Sequence, residues 1–153
     1  MGSLSSSPSD LASLRALTGR ERIVLAAAAV VAPVAHLLLR TAGYGRTRLL
    51  GERLSPAPHP VREGRDRAVR TARLVWVADR RVPGSRTCLS RSLALWYLLR
   101  WQRVDSDLRI GVRAGAGPLD AHAWVEHQGH PLNDDEGVAA RYATLERGTP
   151  PSR

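Results

Sequence analysis

The sequence predicts an α+β domain, with helices through roughly the first hundred residues and a small antiparallel sheet after them. Three observations carry this. Apolar residues recur at helical spacing in segments up to Trp101. The run Asp107-Leu-Arg-Ile-Gly-Val-Arg113 alternates polar and apolar at the period of a half-buried strand. Beyond it, two short extended stretches flank the turn His127-Gln128-Gly129-His130. At 153 residues the chain has the size of one domain, able to bury about two-thirds of its unfolded surface.

Taken in order, residues 1–10 are Ser-rich and read as a disordered tail. Ser9 or Asp10 caps a helix from Leu11, with Leu11, Leu14 and Leu17 on one face. Thr18 opens a second helix, because Thr18-x-x-Glu21 has the spacing of a capping box. The apolar run Ile23–Leu39 lies at the lower length limit for crossing a bilayer. Pro33, His36 and many alanines argue for a buried or peripheral helix instead, so no firm membrane insertion is expected. Pro33 is expected to kink or split this helix. Gly43, Gly45 and Gly51, then Pro56-Ala-Pro58-His-Pro60, mark a connector that closes an N-terminal helical region over 11–60.

A core over 61–143 follows. It begins with a helix at 62–79, whose inward face is Ala68, Ala72, Val75 and Ala78, and Pro83-Gly84-Ser85 breaks it. A helix over Leu89–Trp101 buries Leu93, Trp96, Tyr97 and Leu98. The strand at 107–113, a turn at Gly115–Pro118, and strands at Ala121–Glu126 and Pro131–Asp134 complete the core. Residues 144–153 read as a flexible tail.

The formal net charge is +9, and all 23 basic residues are arginine. Lysine and phenylalanine are both absent, which is the signature of GC-rich coding as much as of an acidic partner. The arginines are scattered, with no nucleic-acid-binding motif beside them, so no nucleic-acid partner is expected. The single cysteine rules out an internal disulfide and a cysteine-rich zinc site, and it suits the reducing cytoplasm.

That cysteine, Cys88, opens the helix that follows Pro83-Gly-Ser-Arg-Thr87. Unpaired N–H groups at a helix start favour negative charge, so a thiol there ionises more readily, and Arg86 and Arg91 add positive potential. The same N–H groups can hold an oxyanion. A thiolate nucleophile needs a histidine that serves as base and then as acid. Of the five histidines, His36 and His59 fall in the helical part and the connector, and His127 and His130 flank a turn expected to be solvent-exposed. His122, in Ala121-His-Ala-Trp-Val-Glu126, lies on a strand between small neighbours that leave its ring accessible. A three-residue loop, His127-Gln128-Gly129, pairs Glu126 with His130 and puts Asp134 opposite His122; a two-residue Gln128-Gly129 loop brings Asp135 there instead. Asp134 is preferred as the acid that orients the ring. The competing use of these residues is a metal site from His122, His127, His130, Asp134 and Asp135, against which strand alternation argues. No metal and no cofactor is expected.

Taken together, Thr87-Cys-Leu-Ser-Arg-Ser-Leu-Ala-Leu95, Leu108-Arg-Ile-Gly-Val112, Ala121-His-Ala-Trp-Val-Glu126 and Pro131-Leu-Asn-Asp134 resemble the transglutaminase-like leader peptidases of lasso peptide biosynthesis, over about residues 68–138. The resemblance implies a papain-like α+β core with N-terminal helices, a catalytic helix and a small sheet. It implies a cysteine protease with Cys88 as nucleophile, His122 as base and acid, and Asp134 as orienting acid. Its substrate would be the leader region of a ribosomally made lasso precursor. The strand-rich leader-recognition domain fused to some members has no counterpart in residues 1–60, which resembles the split form with a separate recognition protein. The asparagine synthetase-like cyclase is the further partner suggested. One departure concerns the oxyanion hole: papain-like enzymes carry a glutamine upstream of the cysteine, and here the only glutamines are Gln102 and Gln128. Two other readings share these residues, an acyl transferase in which an amine resolves the thioester and a non-catalytic peptide-binding scaffold.

Overall fold

Thr18 ends extended backbone and starts a helix. Its hydroxyl accepts the Glu21 N–H at 3.3 Å, while its own N–H donates to the Glu21 carboxylate at 2.8 Å, the capping box expected from the spacing. The computed structural model describes residues 17–55, 64–81, 87–113 and 120–145. Within them the first helix, α1, runs Gly19–Leu54. It carries Pro33 without leaving helical geometry and breaks at Gly43, at φ 77° and ψ 169°, a conformation that glycine adopts at little cost. Two expectations are corrected here: the break lies at Gly43 and not at Pro33, and Gly45 and Gly51 belong to helix and not to a connector. The helix from Leu11, the Pro56–Pro60 cluster, the break at Pro83, the Gly115–Pro118 turn and the two tails, apart from Thr144 and Leu145, lie outside the described residues.

By length and composition α1 could cross a membrane. Val24, Ala28, Ala32 and Ala35 form a buried stripe on a side that packs against α2 (Gly64–Arg81) and α3 (Cys88–Trp101), while Val30, Val34 and Leu37 face outward. Small side chains let the helices approach closely. Helix α2 buries Ala68, Ala72, Val75 and Ala78, the face predicted from spacing. Helix α3 is the central element, with Leu93, Leu95 and Leu99 fully buried; truncating any of them to alanine would cost about 2–5 kcal/mol. Tyr97 is partly buried and donates its hydroxyl to the Thr47 carbonyl beyond the Gly43 break, with Gly51 against its ring.

The sheet is four-stranded and antiparallel in the order β3-β2-β1-β4, formed by β1 (Asp107–Arg113), β2 (Asp120–His127), β3 (His130–Pro131) and β4 (Ala143–Thr144). A short helix, α4 (Val138–Arg141), precedes β4. Leu108 and Val125 pair across β1 and β2 on the face that joins the helical core. By strand alternation His122, Trp124 and Glu126 take the other face. There the Trp124 indole donates to Glu126 at 2.8 Å, and Arg109 bonds the same carboxylate at 3.0 Å.

The β2–β3 hairpin departs from expectation. Its loop is the two-residue Gln128-Gly129, both at positive φ (52° and 79°), the type I′ pattern that matches strand twist. His127 therefore pairs with His130, and Glu126 with Pro131. Strand β3 ends at Pro131 and does not continue to Asp134.

Candidate active site

Cys88 occupies the first position of α3 and is partly exposed. Thr87 caps that helix, its hydroxyl accepting the Ser90 N–H at 3.1 Å and its carbonyl the Arg91 N–H at 3.2 Å. Among the described residues the N–H groups of Cys88 and Leu89 are thus the first-turn donors left for a ligand. The cysteine thiol itself makes no hydrogen bond among the described residues. Arg91 does not supply free positive charge beside it as expected: its guanidinium lies 3.2 Å from Asp79, a carboxylate only 6 % exposed on α2. Arg86 lies outside the described residues.

The course of the chain puts the Cys88 end of α3 at the His122 end of β2. At the opposite end, the Val104 N–H bonds the Leu99 carbonyl and the chain turns into β1 at Asp107, which pairs with Glu126. Helix α3 and strand β2 therefore run in the same sense. Midway, Ser92, one helical turn after Cys88, donates to the Ala123 carbonyl at 2.8 Å.

His122 and Asp134 meet directly, Nε2 to Oδ2 at 2.5 Å. A carboxylate oxygen accepts, so the contact calls for a proton on Nε2, and in the neutral ring the lone pair is then on Nδ1. The other Asp134 oxygen accepts the Asp135 N–H at 2.9 Å and Arg141 at 3.3 Å, which fixes the plane of the carboxylate. The imidazole is also held by rings: the Tyr142 centroid lies 5.1 Å away and that of Trp124 6.2 Å, the latter nearly parallel to it. Tyr142 is tied in turn to Asp120 at 3.0 Å.

Asp134 is the preferred acid, yet the hairpin counting that led to it does not hold. With the observed two-residue loop, a continued ladder would set Asp135 opposite His122. The ladder does not continue. After the Leu132 N–H bonds the Val125 carbonyl, the Val125 N–H turns to the Asn133 side chain at 2.8 Å, and the departing chain presents Asp134 to the ring. Asp135 instead pairs with Arg141 through two 2.8 Å contacts, and the bonds from Arg141 hold its carboxyl below the usual range.

The other histidines separate from this centre. His130 is exposed near Glu136, as expected at a turn. His127 is not: it is 5 % exposed, and its Nδ1 donates to the Asp105 carbonyl at 2.6 Å. The reason is that a two-residue loop leaves it inside β2 and not in the turn. Among the described residues no three His, Cys, Asp or Glu side chains gather as a metal site. Gln102 caps the far end of α3 and donates to Thr71, and Gln128 lies in the hairpin turn, so neither glutamine stands near Cys88. Sequence reasoning missed Ser92, Asn133, Tyr142 and Arg141; for these residues only the structure supplies the partners.

No curated protein and no solved structure matches the chain. The model of the transglutaminase-like superfamily matches residues 31–147, which include α1 from residue 31 onward, the other helices, the sheet and the His122–Asp134 pair. On a match over more than half its length, the chain belongs to the transglutaminase-like superfamily.

Proposed function

We propose that the protein is a cytoplasmic cysteine peptidase that removes the leader from a lasso peptide precursor, with Cys88 as nucleophile, His122 as base and acid, and Asp134 as orienting acid. The observation that carries the reading is the His122 Nε2 to Asp134 Oδ2 contact of 2.5 Å at the Cys88 end of α3. The family membership supports the cysteine-peptidase or acyl-transferase chemistry, and the four motifs that resemble the leader peptidases support the substrate.

In this mechanism the Cys88 sulfur attacks the carbonyl carbon at the leader–core junction after its proton passes to Nδ1 of His122. The oxyanion is held by the backbone N–H groups at the start of α3. The C–N bond breaks as His122 returns that proton to the core amine, leaving a thioester between the leader and Cys88. Water then attacks the thioester, its proton going to His122, and the C–S bond breaks to free the leader carboxylate. A separate leader-recognition protein presents the precursor, and the freed core passes to the cyclase.

The test is to incubate the chain with a lasso precursor and its leader-recognition protein. Cleavage is expected to stop with Cys88→Ala or iodoacetamide and to persist with a chelator. A folded Cys88→Ala variant that cleaves at the wild-type rate would refute the nucleophile. Product mass separates the chemistries, since hydrolysis adds one water and transfer to an amine adds none.

A further inference from the structure

We propose that Ser92 and Asn133 are positioning residues, a hydroxyl–amide clasp that takes over from the strand ladder where β3 leaves β2 and so turns Asp134 toward His122. This rests on reading Cys88, His122 and Asp134 as a triad.

The clasp is one connected chain of bonds. The Ser92 hydroxyl donates to the Ala123 carbonyl at 2.8 Å and accepts from Asn133 Nδ2 at 2.9 Å, while Asn133 Oδ1 accepts the Val125 N–H at 2.8 Å. Ser92 is 0 % exposed. Residues 123 and 125 point their backbone groups to the same edge of β2, the edge that β3 abandons after Pro131. Asn133 Oδ1 occupies the acceptor position that the Leu132 carbonyl would fill in a regular pair, which ends the ladder there. The Ala123 carbonyl, next to His122, would otherwise be left without a strand partner, and Ser92 of the Cys88 helix supplies the donor.

The residue types follow from this geometry. The edge offers one N–H and one C=O at a fixed separation. A planar amide presents an acceptor and a donor on one rigid group, and a hydroxyl can accept and donate at once. Apolar replacements would leave buried backbone groups unpaired. A carboxylate at 133 would keep the bond to Val125 but face a Ser92 oxygen whose single proton is already committed to Ala123. The clasp thus ties three parts of the site together: the helix that begins at Cys88, the strand carrying His122 and the segment carrying Asp134.

A bond that served stability alone would leave the His122 ring and the Cys88 thiol as they are. The test therefore reads both in the intact chain, using long-range ¹H–¹⁵N spectra of the His122 imidazole and the rate of Cys88 alkylation by iodoacetamide. Ser92→Ala, Asn133→Ala and the isosteric Asn133→Asp are compared with wild type, and Asp134→Asn serves as reference. The clasp variants are expected to lose the Nε2-protonated pattern of His122. Their alkylation should slow on the order of tenfold to a hundredfold, the scale of a misplacement near 1 Å. If Asn133→Ala does not fold, Asn133→Asp and Ser92→Ala make the same comparison. Folded clasp variants with wild-type His122 signals and alkylation rate, showing only a lower melting temperature, would overturn the proposal. Should Asp134→Asn alone change both readouts, the triad stands and the clasp fails. Should Asp134→Asn change neither, the triad reading itself fails.

Discussion

Replacing Gly111 with alanine probes how tightly the imidazole is held. Gly111 lies opposite His122 in the β1–β2 register. A Cβ added there would come within 2.7 Å of Tyr142 Cβ and 3.1 Å of the Trp124 ring, so Tyr142 or the strand must move by about 1 Å to restore ordinary contact near 4 Å. Alanine in place of a strand glycine would ordinarily gain about 0.5–1 kcal/mol. Overpacking costs about 1–3 kcal/mol, so the net expectation is a loss of about 1–2 kcal/mol. In a chain of this size that lowers Tm by roughly 2–8 °C. Both displaced rings also pack on His122, so cleavage per folded molecule should fall by on the order of tenfold to a hundredfold. Thermal unfolding followed by circular dichroism, paired with precursor cleavage below the transition, reads both quantities. A Gly111→Ala protein at least as stable as wild type, with unchanged cleavage, would refute the packing argument around the ring.

Gly51→Ala makes a control remote from the site. Its new Cβ would fall 1.8 Å from the Tyr97 ring, so it should destabilise the fold by about 1–3 kcal/mol although helix propensity alone favours alanine; denaturant unfolding should show this loss with cleavage per folded molecule intact. Asp134→Asn should cut cleavage strongly while Asp135→Asn leaves most of it, because only Asp134 contacts His122; equal losses in kcat would assign the two acids a shared role. Burial, followed by the nearby Tyr44 and Glu52, pushes the Tyr97 hydroxyl up to about 12. A raised value in the folded state means that the protonated phenol contributes stability fully below the ordinary value near 10, and that this is lost as pH rises toward about 12. An absorbance titration at alkaline pH should show a late-ionising tyrosine that is lost in Tyr97→Phe, beside Tyr142, whose hydroxyl is also raised by its bond to Asp120.

Much of the fold is legible because its signals are local. The Thr18–Glu21 capping box, the inward face Ala68, Ala72, Val75 and Ala78, and the alternation of 107–113 each depend on spacing within a few residues. The helix break is a harder case. Proline is the stronger breaker by rule, but Pro33 is carried within helical backbone, while Gly43 adopts a φ of 77° that few other residues accept. In the hairpin the His122–Asp134 contact forms in a register other than the one that suggests it. Of the two loop lengths the sequence allows, the shorter forms, with Gln128 and Gly129 both at positive φ, and it shifts every pairing by one. Asp134 still meets His122 because the strand stops at Pro131, three residues earlier than the pattern suggests, and that stop is made by Asn133 and Ser92, which lie 41 positions apart. No local pattern announces such a bond. The burial of His127 was hidden for the same reason, since one residue of loop length decides whether it ends a strand or begins a turn.

The most direct test of the account is to quench the wild-type protein in acid during precursor cleavage and examine Cys88 by peptide mass spectrometry. The expected result is a leader-length acyl group in thioester linkage on Cys88, absent from Cys88→Ala and much reduced in His122→Ala. Cleavage that proceeds with Cys88 never acylated, or with the acyl group on another residue, would contradict it.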